Sequence, residues 1–264
     1  MRKLPLLLTA VIVLVLGLTG SGAFASSQEI CHGSLSGAHG SVTVVGMCTV
    51  SGPVTIHGDL TLTDGSVFGG FGPPVEISGN VLVGKGAEFA LGYNRPPGVI
   101  GPDTVGGSIL ANQPLSIYLG NSTVHGSLVS IGGGTPHRFF NFPIKDNRID
   151  GNVLIHGWTG GWWGLIANSI GGSVVLSNNR SVVVPADEDA CEGTFPAGCA
   201  AAPGVDPDSS EVQSRIIPGE ANNPQTIGGN LICFNNSPPA HYNPDDGGAP
   251  NIVGGLKLGE CTAA

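Results

Sequence analysis

Residues Ile149–Leu176, IDGNVLIHGWTGGWWGLIANSIGGSVVL, contain one phrase twice. The first copy is Ile149-Asp150-Gly151-Asn152-Val153-Leu154-Ile155 and the second Ile170-Gly171-Gly172-Ser173-Val174-Val175-Leu176. Each reads branched aliphatic, spacer, Gly, small polar residue, then two apolar residues around a further spacer. Apolar side chains at every second position belong to a strand that buries one face. The copies lie 21 residues apart, the spacing of a stacked repeat.

The phrase recurs along the chain, at Gly58, Gly79, Gly107, Gly126, Gly151, Gly172, Gly229 and Gly254, with a weaker copy at Gly40. Two residues before each of the eight stands Ile or Val, and two after stands Leu, Ile or Val. From Gly40 on, successive glycines are 18, 21, 28, 19, 25, 21, 57 and 25 residues apart. A period near twenty with no helical pattern between strands predicts an all-β chain, a single-stranded parallel β-helix (β-solenoid). It would have about nine coils, one per phrase, and a right-handed path with loop insertions. The six-residue spacing of Val44, Val50, Ile56 and Leu62 keeps a left-handed hexapeptide solenoid open as the alternative. Glycine is expected at bends, where the backbone needs positive φ or a close turn. A second strand per coil shows in Leu115–Leu119 and Trp163–Ala167. Asn121-Ser122, Asn147 and Asn168-Ser169 predict corners where stacked polar side chains bond to the coils above and below.

Residues 1–25 read as a secretory signal peptide: Met1-Arg2-Lys3, the apolar run Leu4–Leu18, and Ala23-Phe24-Ala25 before the cut. Residues 26–264 then form one parallel β-helix domain, interrupted at 185–223 by a Pro-rich acidic loop. No membrane span is expected after cleavage, and the protein is expected to be secreted and extracellular. The chain has 10 basic and 19 acidic residues; losing Arg2 and Lys3 leaves 8 against 19, a net of −11. Such a charge excludes nucleic acid as a natural partner. Six cysteines in an exported chain predict three disulfides; the sequence leaves fifteen pairings open, of which that of sequence neighbours is Cys31–Cys48, Cys191–Cys199 and Cys233–Cys261.

Candidate chemistry sits on the outward face. The residues one before each phrase glycine form one column, and those one after form another. His125, Ser127 and Asp150 would therefore meet on adjacent coils, as would His39, His57 and Asp59. A flat strand face offers neither an oxyanion hole nor a nucleophile turn, so no catalytic residue is assigned. No metal or cofactor is assigned either, because no further ligand can be named beside the two histidines, and Asp187, Glu188, Asp189, Glu192, Asp206 and Asp208 lack calcium-loop spacing. The aromatic residues are the most suggestive: Trp158, Trp162 and Trp163 fall in one coil, with Phe139, Phe140 and Phe142 one coil earlier. Exposed, these rings would make a ligand-binding platform for sugar faces; the competing reading is a satellite core, since each ring buries much area.

The ending, Gly228-Gly229-Asn230-Leu231-Ile232-Cys233-Phe234-Asn235-Asn236 with Val253-Gly254-Gly255 and Gly259-Glu260-Cys261, resembles that of small secreted bacterial β-solenoid proteins of uncharacterised function. The Gly-x-Val-x-Ile rhythm is more distantly similar to bactofilins. That resemblance implies a structural repeat and brings no catalytic residues; the signal peptide, cysteines and Pro-rich loops depart from bactofilins. The expected function is a non-catalytic β-solenoid, structural or ligand-binding, whose partner is an extracellular polysaccharide or a surface protein. The alternative is a polysaccharide lyase or glycoside hydrolase on a pectate-lyase-like β-helix, for which Arg148 with Asp146 and Asp150 is the only nearby set.

Overall fold

The computed structural model describes residues 28–92, 101–134, 142–160, 163–181, 214–217, 224–237 and 251–263. The expected signal segment and most of the 185–223 insertion, with Cys191 and Cys199, lie outside the described residues. Within them the chain is all-β, without an α-helix and with one 3-10 turn at Glu260–Ala263. No helix among these residues is long and apolar enough to cross a membrane.

One repeat shows the plan. Strands Thr123–Val124, Leu128–Ile131 and Phe142–Lys145 pair in parallel with Arg148–Ile149, Val153–His156 and Trp163–Ile166. Those three pair in turn with Ser169–Ile170, Val174–Ser177 and Ser214–Ile217. Each of these repeats thus contributes at least three strands, one more than the sequence pattern shows, and Thr159–Gly160 pairs with Arg180–Ser181 as a fourth in two of them. The third is the two-residue strand just before the phrase glycine. The 57-residue interval counts as a single step, since Val174 and Val175 pair directly with Leu231 and Ile232.

Alternation does the sorting into core and surface. Val42, Leu60, Val81, Ile109, Leu128, Val153, Val174 and Leu231 form one column, none more than 1% exposed. Each such side chain contributes roughly 1.5–3 kcal/mol relative to an exposed one. Ile56, Ile77, Val105, Val124, Ile149, Ile170 and Ile227 form a second buried column.

The phrase glycines have a different cause from the one expected. None of them has positive φ. Their amides instead form a ladder, Gly79 N–H to Gly58 O (3.0 Å), Gly107 to Gly79 (2.8 Å), Gly126 to Gly107 (2.8 Å), Gly151 to Gly126 (2.9 Å) and Gly172 to Gly151 (2.9 Å). Beside it runs a second ladder, in which each small polar side chain reaches the next repeat. Asn80 Oδ1 accepts from Ser108 N (2.9 Å), Ser108 Oγ from Ser127 N (3.0 Å), Ser127 Oγ from Asn152 N (3.0 Å), and Asn152 Oδ1 from Ser173 N (2.8 Å). That oxygen passes over the following glycine, where any Cβ would fall within 3.0 Å of it. Close approach of polar side chain to backbone, not a bend, requires Gly.

The polar corners behave as expected. Asn147 Oδ1 accepts from Ser122 N (3.0 Å) and Asn168 Oδ1 from Asn147 N (3.0 Å), while their Nδ2 groups donate to Leu119 O (2.8 Å) and Ile144 O (2.7 Å). A matching buried ladder joins Asn179 and Asn236 and ends on the Glu260 carboxylate, which accepts from Asn236 N (3.0 Å) and Nδ2 (2.9 Å).

The last repeat corrects the sequence reading by one residue. Ile227 pairs with Val253 and Leu231 with Lys257, so Gly255, not Gly254, continues the glycine ladder (to Gly229 O, 2.9 Å). The slip turns Ile252 and Leu256 outward, at 56% and 64% exposure. The corner decides this register: Gly259 (φ 68°) pairs with Cys233, and the turn there brings the Glu260 carboxylate to Asn236 and Cys261 to Cys233. Cys233–Cys261 (Cα–Cα 5.3 Å) closes this end and Cys31–Cys48 (Cα–Cα 5.8 Å) closes the first, both as expected.

Candidate functional site

The aromatic cluster divides. Trp158 is fully buried, so its indole offers no face to a ligand and is corrected here to a core residue. It meets Phe142 edge-on, ring centroids 4.9 Å apart and planes at 65°, which is the contact expected from the preceding repeat. The bareness of Gly134 and Gly160 makes its seat, since a Cβ at either would come to about 3 Å of the indole. Trp163 lies in the strand paired with Phe142 through the backbone. Trp162, Phe139 and Phe140 lie outside the described residues.

The outward polar columns also divide. Asp59 Oδ1 accepts from Asn80 N (2.7 Å) and Ser127 Oγ from Asn152 N, so both belong to the ladder. His39 turns to Glu29 (Nδ1–Oε2 2.7 Å) rather than to His57. Among the described residues no group of three His, Cys, Asp or Glu side chains is placed to hold a metal ion. Asp146 is 3% exposed at a corner with φ 57°, and does not share a face with Arg148 and Asp150. The three-residue set needed for the lyase reading is therefore not assembled.

What the structure does assemble is His125, Asp150 and Arg148. Thr123, Arg148 and Ser169 stand opposite one another on successive two-residue strands, alternating with buried Val124, Ile149 and Ile170. Alternation also turns His125 and Asp150, two positions further on, to solvent. His125 Nδ1 and Asp150 Oδ2 lie 2.8 Å apart, and Arg148 Nε donates to Asp150 Oδ1 at 2.8 Å. The Arg148 contact first, and then that of His125, holds the Asp150 carboxyl below its ordinary range. His125 and Arg148 remain 55% and 59% exposed. Sequence reasoning placed His125 beside Asp150 and set Arg148 with both Asp146 and Asp150, of which the structure keeps Asp150. Period-two alternation holds Arg148 and Asp150 on one face; the left-handed corner at Asp146 (φ 57°), ahead of Arg148, breaks it and takes Asp146 off that face.

A further carboxylate carried no sequence signal. Glu88 sits beside Ser116 on a neighbouring strand, burial raises its pKa from the usual 4.5, and the Ser116 hydroxyl, which donates at 3.2 Å, opposes the rise.

No protein-family model, no curated protein and no solved structure matches this chain.

Proposed function

We propose that the chain is a secreted, non-catalytic parallel β-solenoid, nine coils in a right-handed path, that works outside the cell by holding a ligand on its outward face and loops. The ligand is a polysaccharide or a surface protein; nucleic acid is not a partner of so acidic a chain, and no span holds it in a membrane once the signal is removed.

One observation carries this reading. Ser127 and Asp59, side chains of the types that serve as nucleophile or metal ligand, are spent on backbone amides of the next repeat. The outward face is thereby built for rigidity, and rigid surfaces bind with little ordering cost. The buried disulfides at both ends fit an oxidising compartment. The test is co-sedimentation of the mature protein with insoluble polysaccharides and with whole cells, alongside an assay for released reducing ends and unsaturated uronides. Retention without release is expected. Release of soluble sugar by the pure protein would sink the non-catalytic reading.

A further inference from the structure

We propose that His125, Asp150 and Arg148, with the bare strand face beside them, form a binding site for an uncharged saccharide. This rests on the reading above, that the chain acts by binding outside the cell, and names the place and the ligand class.

Asp150 serves as the hub. Both of its oxygens are engaged, Oδ1 by Arg148 Nε and Oδ2 by His125 Nδ1. A carboxylate accepts only, so the proton of a neutral His125 ring lies on Nδ1 and leaves Nε2 as an acceptor. Arg148 docks through Nε, which leaves its Nη groups as donors with no further partner among the described residues. A fixed acceptor thus stands beside fixed donors on one carboxylate. Two neighbouring hydroxyls of a sugar need that pair: one donates to Nε2, and the oxygen of the other accepts from Nη. The cluster contributes little to stability, because exposed ion pairs of this kind are worth little. Its consequence is orientation.

Room lies on one side of the hub. On the next two repeats the same outward positions are Ser169 with Gly171 and Thr226 with Gly228. Gly171 and Gly228 are exposed, and a Cβ at either would fall within 3.0 Å of the carbonyl of the repeat before it, Asp150 O and Gly171 O respectively. Along the floor Gly171 and Gly228 therefore project no side chain, and only the short side chains of Ser169 and Thr226 flank them, over two steps of ~4.8 Å each. A short oligosaccharide can lie along it with one end at His125 and Arg148.

Charge selects the uncharged class. Arg148 and Asp150 cancel, and Thr104, Gly106, Thr123, Ser127, Asn152, Ser169 and Gly171 around them carry no charge. The chain as a whole has a net charge of −9, which disfavours the approach of an acidic glycan.

The experiment titrates the mature, disulfide-intact protein with cellopentaose, maltopentaose and trigalacturonate, followed by calorimetry and by NMR of the His125 ring. At least one neutral pentasaccharide is expected to bind weakly, with a Kd on the order of 1 mM, as a shallow site allows. Arg148→Gln and His125→Phe should each weaken it by about tenfold, the loss of one hydrogen-bonding group. Thr226→Trp, which occupies the floor from outside, should weaken it too. His57→Phe, on the same column but away from the hub, should leave affinity unchanged, and all four variants should keep the wild-type melting temperature. Saccharide binding that none of the three site variants alters overturns this site while leaving the general binding function standing. Binding of trigalacturonate alone, or of neither neutral sugar, overturns the assignment of ligand class.

Discussion

Replacing Gly151 by Ala tests why these glycines recur. The added Cβ would fall within 3.0 Å of Ser127 Oγ and of the backbone O and C of Gly126. Ser127 can turn only by giving up its bond to Asn152 N, and the Gly126 carbonyl is held by Gly151 N–H at 2.9 Å. Overpacking of a tight interior costs ~1–3 kcal/mol. The loss of one or two ladder bonds adds ~1 kcal/mol each, so the sum is about 2–5 kcal/mol. Gly65→Ala is the comparator: Gly65 has φ 68° and no atom within 4 Å of its Cβ position. That change costs only the left-handed backbone, ~1–2 kcal/mol. Urea unfolding of the disulfide-intact variants measures both. The double variant Ser127→Ala with Gly151→Ala should be less destabilised than the sum of the single ones, because both changes address the same bond. The reasoning fails if Gly151→Ala costs no more than Gly65→Ala, since the phrase glycines would then not be fixed by close approach.

Other outcomes follow from the same geometry. Asn168→Ala leaves the Asn147 amide and the Ile144 carbonyl buried without their partner, at ~1–3 kcal/mol each, whereas Ser169→Ala next to it should be near neutral in the same urea assay. Glu88 holds its proton more tightly folded than unfolded, so its contribution to stability declines as pH rises from about 4.5 through the folded value. Glu88→Gln, which keeps an acceptor for Ser116, should therefore be more stable than wild type at pH 7 and equal to it at pH 3.5; a lower midpoint at pH 7 contradicts the burial argument. Cys233→Ser with Cys261→Ser removes a 28-residue closure, ~2–4 kcal/mol. Amide exchange should rise in 252–259 and stay unchanged in 128–131.

The repeat was legible because a strand with one buried face reports itself at period two, and eight phrases with the same spacing of aliphatics leave little choice of register. The Asn147 and Asn168 corners were legible for a related reason: Asn in a stacked position can bond to both neighbours. His125 beside Asp150 followed from counting along the columns. The cause of the phrase glycines was not legible, because it lies in a side-chain oxygen from the previous repeat and not in local backbone preference. The last register was misread because two signals compete there. Ile252 and Leu256 ask for one alignment, while Gly259, Glu260 and Cys261 fix the other through corner, ladder and disulfide. Trp158 was left open between surface and core, and its place could be settled only by Gly134 and Gly160 making room for it. Glu88 gave no pattern at all, since its burial depends on strands far apart in sequence.

The central claim is that these phrases stack one step per repeat, whatever the length of chain between them. Thr61, Val175 and Ile232 are outward residues of one column, through the pairings Thr61–Leu82–Leu110–Val129–Leu154–Val175–Ile232. Nitroxide labels on Thr61→Cys with Val175→Cys span five steps, and on Thr61→Cys with Ile232→Cys six. At ~4.8 Å per step the two distances should be about 24 Å and about 29 Å, both narrowly distributed. The 57 residues between Val175 and Ile232 should add only that one step. A second distance many steps longer than the first, or a broad distribution in either pair, would contradict the stack.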